Sequence, residues 1–117
     1  MRNRQHMETP GEYNFRMISG MTPQELYQQA SSLWGESAQI AIAIEEMAEL
    51  IQSLIRFARD REDVSVANVR EEIADVEIMI GQLRMIFDTH MIDKIKKSKL
   101  FRLRKRILEF VEGESSK

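Results

Sequence analysis

At 117 residues the chain suits one compact domain, and 43% hydrophobic and 31% charged residues with only two prolines point to a helical globular protein, not a disordered or fibrous one. The absence of cysteine excludes disulfides, thiol nucleophiles and cysteine-based zinc sites. The net charge of −2 is uneven: Lys94 to Arg106 carries eight basic residues and no acid, a +8 segment on a −10 remainder, a pattern shared by nucleic-acid faces, phosphate sites and solvated helices.

The arm at residues 1–21 shows no periodicity and is expected to be loose. It has no apolar stretch resembling a signal peptide, and no later run of about 18 uncharged apolar residues could span a bilayer, so a cytoplasmic location and no membrane partner are expected. Thr22, Pro23 and Glu25 then form a helix start, with Thr22 capping, Pro23 in the first helical position and Glu25 completing a capping box. This helix runs to about Trp34. A longer helix follows over roughly 37–59, then the polar turn DREDVS, with Ser65 or Asn68 capping a third helix that extends to about Phe87. The chain turns again around 88–93. The last helix carries an apolar row at Ile92, Ile95, Leu100, Leu103, Ile107 and Phe110, and residues 113–117 read as a polar tail. The expectation is all-α: a four-helix bundle built on a helical hairpin over 22–112, assembled as a homo-oligomer.

Two acidic segments stand out inside the hairpin. Residues 45–49 read Glu-Glu-Met-Ala-Glu and residues 71–75 read Glu-Glu-Ile-Ala-Asp, so the second repeats the first with one acid shortened. At 100° per residue, Glu46 lies at the edge of a broad apolar face and Glu49 roughly 60° further out. On the next helix Glu72 falls inside the core stripe of Val69, Val76, Met79 and Leu83, with Asp75 at its edge. A solvated helix face accounts for Glu71, Glu77 and Glu45, since Glu is a good helix former. It does not account for Glu72, because an ionised carboxylate on an apolar face costs several kcal/mol unless a cation or metal pairs with it.

In an antiparallel hairpin, Glu46 with Asp75 and Glu49 with Glu72 are both symmetric about the Asp60–Arg61 bond, where the turn is expected. Four carboxylates therefore converge, and such an all-oxygen cluster suits Mg²⁺ or Mn²⁺ better than zinc. Di-iron bundles require Glu-x-x-His, which neither His6 nor His90 supplies.

These residues resemble the MazG-like all-α nucleoside triphosphate pyrophosphohydrolases, whose signature is E-E-x-x-E followed by E-x-x-D; here the halves are residues 45–49 and 72–75, and the resemblance covers about residues 22–110. It implies Mg²⁺-dependent cleavage of a nucleoside triphosphate to the monophosphate and pyrophosphate in nucleotide-pool house-cleaning, with water attacking the α-phosphorus. Glu46, Glu49, Glu72 and Asp75 are the expected metal ligands, and Glu45 the candidate base or additional ligand. The KLFRL segment at 99–103 is similar to the family's basic final helix, so Lys99 and Arg102, three apart on one face, are expected to contact phosphate. Relatives often carry Asn before that lysine, where this chain has Ser98. Arg56, one or two turns beyond Glu49, is a further phosphate candidate. Trp34 fits either a core anchor or a base-stacking platform.

The second helix is apolar over roughly 200°, about twice the stripe one core requires, and the third has a second apolar strip at Ala74, Ile78 and Met85. Self-association to a homodimer of paired hairpins follows, and the resemblance extends this to a tetramer. Two rival readings use the same features: a nucleic-acid-binding helical dimer built on the basic last helix, which leaves Glu72 unexplained, and a helical bundle that binds metal without turnover.

Overall fold

The structure is a computed structural model and describes residues 7–115. Five helices follow in order: α1 (Pro10–Ser19), α2 (Pro23–Trp34), α3 (Glu36–Asp60), α4 (Asp63–Ile86) and α5 (Thr89–Ser115). The fold is all-α, and no strand occurs among the described residues.

The described part of the N-terminal arm is not without regular structure. Thr9 caps α1 through a reciprocal capping box with Glu12, Pro10 opens the first turn, and Arg16 pairs with Glu8 at 2.9 Å. Local chemistry thus forms α1 without tertiary help, since none of its residues is buried. Residues 1–6 lie outside the described residues. The same device starts α2 at Thr22, Pro23 and Glu25, as the sequence indicates.

Between α2 and α3 the chain turns at Gly35, whose φ of 86° is one that a side chain would resist. The helices α3 and α4 then form the hairpin that dominates the molecule. Its link is only Arg61 and Glu62; Arg61 takes the left-handed conformation (φ 52°), its amide donates to the Phe57 carbonyl, and its guanidinium stacks 5.6 Å from the Phe57 ring centre. Glu62 occupies the N-cap position of α4 with no side-chain cap. Ser65 and Asn68, expected as caps, lie inside α4, and Ser65 is fully buried.

The hairpin interior is narrow. Ala43 and Met79 are its buried hydrophobic residues, accompanied by Gln39, Ser53, Ser65 and Gln82. Long apolar side chains of α3 such as Ile44, Ile51 and Ile55 are exposed. Helix α2 packs across α4 and α3. At Gly81 a methyl group would collide with the Tyr27 ring, so glycine lets α2 settle there.

Helix α5 does not complete the expected four-helix bundle within the chain. The elbow is Phe87 and Asp88; Asp88 is left-handed (φ 72°), and its carboxylate accepts from the His90 and Met91 amides at 3.1 and 3.3 Å. An Arg84–Asp93 ion pair braces the elbow, and α5 packs mainly against α4. From Asp93 through Glu114 every residue is exposed. The helix also continues through Gly113–Ser115, where a polar tail is expected; residues 116–117 lie outside the described residues.

The shape records this extension. The molecule measures 88 × 37 × 35 Å, whereas α4 and α5, of 24 and 27 residues, are each only about 36–40 Å long. The radius of gyration of 22.0 Å compares with about 13 Å for a compact domain of this length. Its accessible surface, 10227 Å², compares with about 6,600 Å² for a compact monomer of the same mass.

Candidate metal centre

The hairpin brings Glu46 of α3 together with Glu72 and Asp75 of α4, with one carboxylate oxygen from each within 4.8 Å of the others. All three are half-buried. The short link centres the hairpin at Arg61–Glu62, one residue beyond the Asp60–Arg61 bond. That displaces the register by about two residues, roughly 3 Å of helix rise, and the acids still converge.

The expected tetrad is resolved into a triad and a rim residue. Glu49 is exposed and is not one of the three acids that meet within 4.8 Å, but its carboxylate lies within side-chain hydrogen-bonding reach of both Glu46 and Glu72. It also acts on the site electrostatically. Glu46 is pushed above the ordinary glutamate range by burial first, then by the charges of Glu49, Asp75 and Glu72. Glu72 is raised for the same reasons, with burial first and the charges of Glu49, Asp75 and Glu71 after it.

Two oxygens make the arrangement more than a crowd of surface acids. Glu46 Oε2 and Glu72 Oε2 are buried without a hydrogen-bond partner. Both are acceptors with no donor facing them, a position that a cation could satisfy. The donor set, oxygen only and held on two rigid helices, fits a hard divalent cation of the Mg²⁺ or Mn²⁺ class.

Beside the triad lies a polar cleft of about 260 Å³ lined by Glu49, Gln52, Ser53, Arg56, Asn68 and Glu72. Arg56 thus shares a cleft wall with two acids. Lys99 and Arg102 do not reach this cleft in the chain; they share a shallow hollow with Leu103 and Arg106 on the projecting α5. Glu45 is exposed and lines no part of the cleft, as are Glu71 and Glu77. Trp34 is not a core anchor: it is exposed and borders an apolar groove of about 620 Å³ between α2 and α4, with Leu26, Tyr27, Ile78 and Gln82.

Sequence reading overlooked Gln52, Ser53 and Asn68 as cleft residues. The signal was present, since Ser53 and Asn68 are symmetric about the same Asp60–Arg61 bond as the acids, one turn nearer the hairpin tip. Compared with known protein families, with curated proteins and with solved structures, the chain matches none of them. The site therefore rests on its own geometry. No helix among the described residues is long and apolar enough to cross a membrane.

Proposed function

We propose that the protein is a Mg²⁺-dependent nucleoside triphosphate pyrophosphohydrolase of the MazG-like kind, releasing a monophosphate and pyrophosphate. The observation that carries this reading is the meeting of Glu46, Glu72 and Asp75, two of them with a buried unpartnered oxygen, at the point where the two halves of the E-E-x-x-E and E-x-x-D pattern face each other. Glu46, Glu72 and Asp75 would hold the divalent cation, with Glu49 at the rim as a further oxygen donor. Such an ion, when bound, neutralises phosphate charge and lowers the pKa of a bound water.

The residues of the chain supply the rest. Arg56, on the cleft wall beside Glu49 and Glu72, is placed to neutralise a phosphate oxygen. Gln52, Ser53 and Asn68 offer neutral hydrogen-bonding groups in the same cleft, suited to orienting a polyanion. A base role for Glu45 draws no support from its solvent-facing position.

Self-association belongs to the same proposal. The exposed surface exceeds that of a compact monomer by roughly 3,600 Å², which leaves ample area for self-association. The exposed row of Ile44, Ile51 and Ile55 on α3 is its most continuous apolar part in the hairpin. A dimer or tetramer is expected by sedimentation.

The deciding measurement is Mg²⁺-dependent pyrophosphate release from a panel of ribo- and deoxyribonucleoside triphosphates. Metal binding with no release from any of them would leave a non-catalytic bundle. The exposure of all eight basic residues of Lys94–Arg106 favours one second reading, a nucleic-acid contact, which duplex or RNA retention with a steep salt dependence would establish instead.

A further inference from the structure

The geometry points to α5 as an exchanged arm: in the assembled protein it lies on the acid-bearing face of a second copy of this chain, where Lys99, Arg102 and Arg106 add positive charge to that of Arg56. Its phosphate-binding aspect rests on the proposed function; the arm exchange does not.

Four observations carry it. First, α5 carries an uncovered apolar row: Ile95, Leu100, Leu103, Ile107 and Phe110 recur at helical spacing and all are exposed. Lys99, Arg102 and Arg106 border that row and share one surface hollow with Leu103, so whatever covers the row meets all three cations together. Second, the charges are complementary. The eight basic residues of Lys94–Arg106 face no acid of their own segment, and the triad of Glu46, Glu72 and Asp75 with Glu49 at its rim has Arg56 as the cation in its cleft.

Third, the spacing matches about the elbow. Asp75 and Glu72 lie 13 and 16 residues before Asp88, and Lys99 and Arg102 lie 11 and 14 residues after it. At 1.5 Å per residue, both pairs sit about 16–24 Å from the pivot, so α5 laid antiparallel along α4 puts its cations level with the acids. The elbow is braced open by the left-handed Asp88, its capping of His90 and Met91, and the Arg84–Asp93 pair, so the matching register is met by exchange with a neighbour. Fourth, an apolar seat lies on α4 itself. The groove between α2 and α4 includes Ile78, one turn along the helix from Asp75, and its lining also includes Leu26, Leu33 and Trp34.

The lack of cysteine makes the test direct. Ile78 and Ser98 are symmetric about Asp88, so a tagged Ile78→Cys chain and an untagged Ser98→Cys chain, co-refolded and treated with a short flexible bis-maleimide, should give a crosslinked heterodimer. A chain carrying both substitutions should give crosslinked dimers. An internally crosslinked monomer from that chain would show fold-back and overturn the proposal, as would a monomer by sedimentation with no crosslink between chains. Loss of the interchain crosslink together with salt-sensitive retention of RNA would assign α5 to nucleic acid.

Activity supplies a second arm. Mixing a Glu72→Gln chain with a Lys99→Ala/Arg102→Ala chain should restore about a quarter of wild-type pyrophosphate release, since half of a random mixture is mixed dimers with one intact site each. A dead mixture beside an active wild type would overturn delivery of the cations in trans. An inactive wild type that still forms the interchain crosslink would instead sink the pyrophosphohydrolase reading and leave the exchange standing.

Discussion

Helices α4 and α5 are of nearly equal length, follow each other in the chain, and both carry an apolar row at helical spacing, yet one is embedded in a packed body and the other is exposed beyond its first turn. The difference lies in how each is entered. A two-residue link at Arg61 and Glu62 returns the chain antiparallel along α3, where Ala43, Ser53 and Ser65 are buried. The elbow at Phe87 and Asp88 sends α5 outward instead. An apolar row states that a face will be buried, and it leaves open by what. The acids Glu71, Glu72, Asp75 and Glu77 of α4 and the basic segment Lys94–Arg106 of α5 extend the contrast, for like charges gather in each segment.

The largest expected effect separates the two regions by chemistry. Glu72→Gln should reduce pyrophosphate release by more than ~100-fold, since even indirect disturbance of a metal site costs 10–100-fold, and it should weaken Mg²⁺ binding. Without metal this variant should be as stable as the wild type or more so, because one of the crowded charges is gone. Glu77→Gln, exposed on the same helix, should change neither property; equal activity in the two variants would remove the metal centre from the mechanism.

Packing should show the same contrast. Met79→Ala, in the hairpin interior, should lower unfolding free energy by about 2–4 kcal/mol, read from urea denaturation. Ile107→Ala on α5 should cost the isolated chain less than about 0.5 kcal/mol while weakening self-association, read by sedimentation. A large loss of chain stability from Ile107→Ala at dilutions where the protein is monomeric would mean that α5 packs on its own body.

The two capping boxes make a finer comparison. Thr22→Ala should cost about 1 kcal/mol because α2 is docked on the hairpin, so its fraying is felt globally. Thr9→Ala should leave the unfolding midpoint unchanged and reduce helical ellipticity slightly, since α1 buries nothing.

The smallest effect is a slope with pH. Glu46 and Glu72 titrate higher folded than unfolded, so the folded state binds more protons in that interval, and metal-free stability should fall as pH rises through it. The change should be small, because both residues are only half-buried and water screens them. Saturating Mg²⁺ should flatten the slope, and a metal-free stability that rises with pH over the same interval would contradict the crowding of the acids.

The sequence by itself determined the helices and the meeting of the acids. Periodicity placed α3 and α4 to within a few residues, and the symmetry of Glu46 with Asp75 about the turn survived a register displaced by about two residues, because carboxylates on rigid helices tolerate a shift of roughly 3 Å. Helix α1 was also legible, since Thr9, Pro10 and Glu12 repeat the chemistry of Thr22, Pro23 and Glu25. Only tertiary structure decided that Glu49 stands at the rim, that Trp34 is exposed on a groove, and that α5 carries Lys99 and Arg102 away from the acids of its own chain. Helical spacing fixes angles around an axis, whereas the distance between two axes depends on side-chain volume at their crossing, and the direction of a helix after an elbow depends on the backbone of one residue, Asp88.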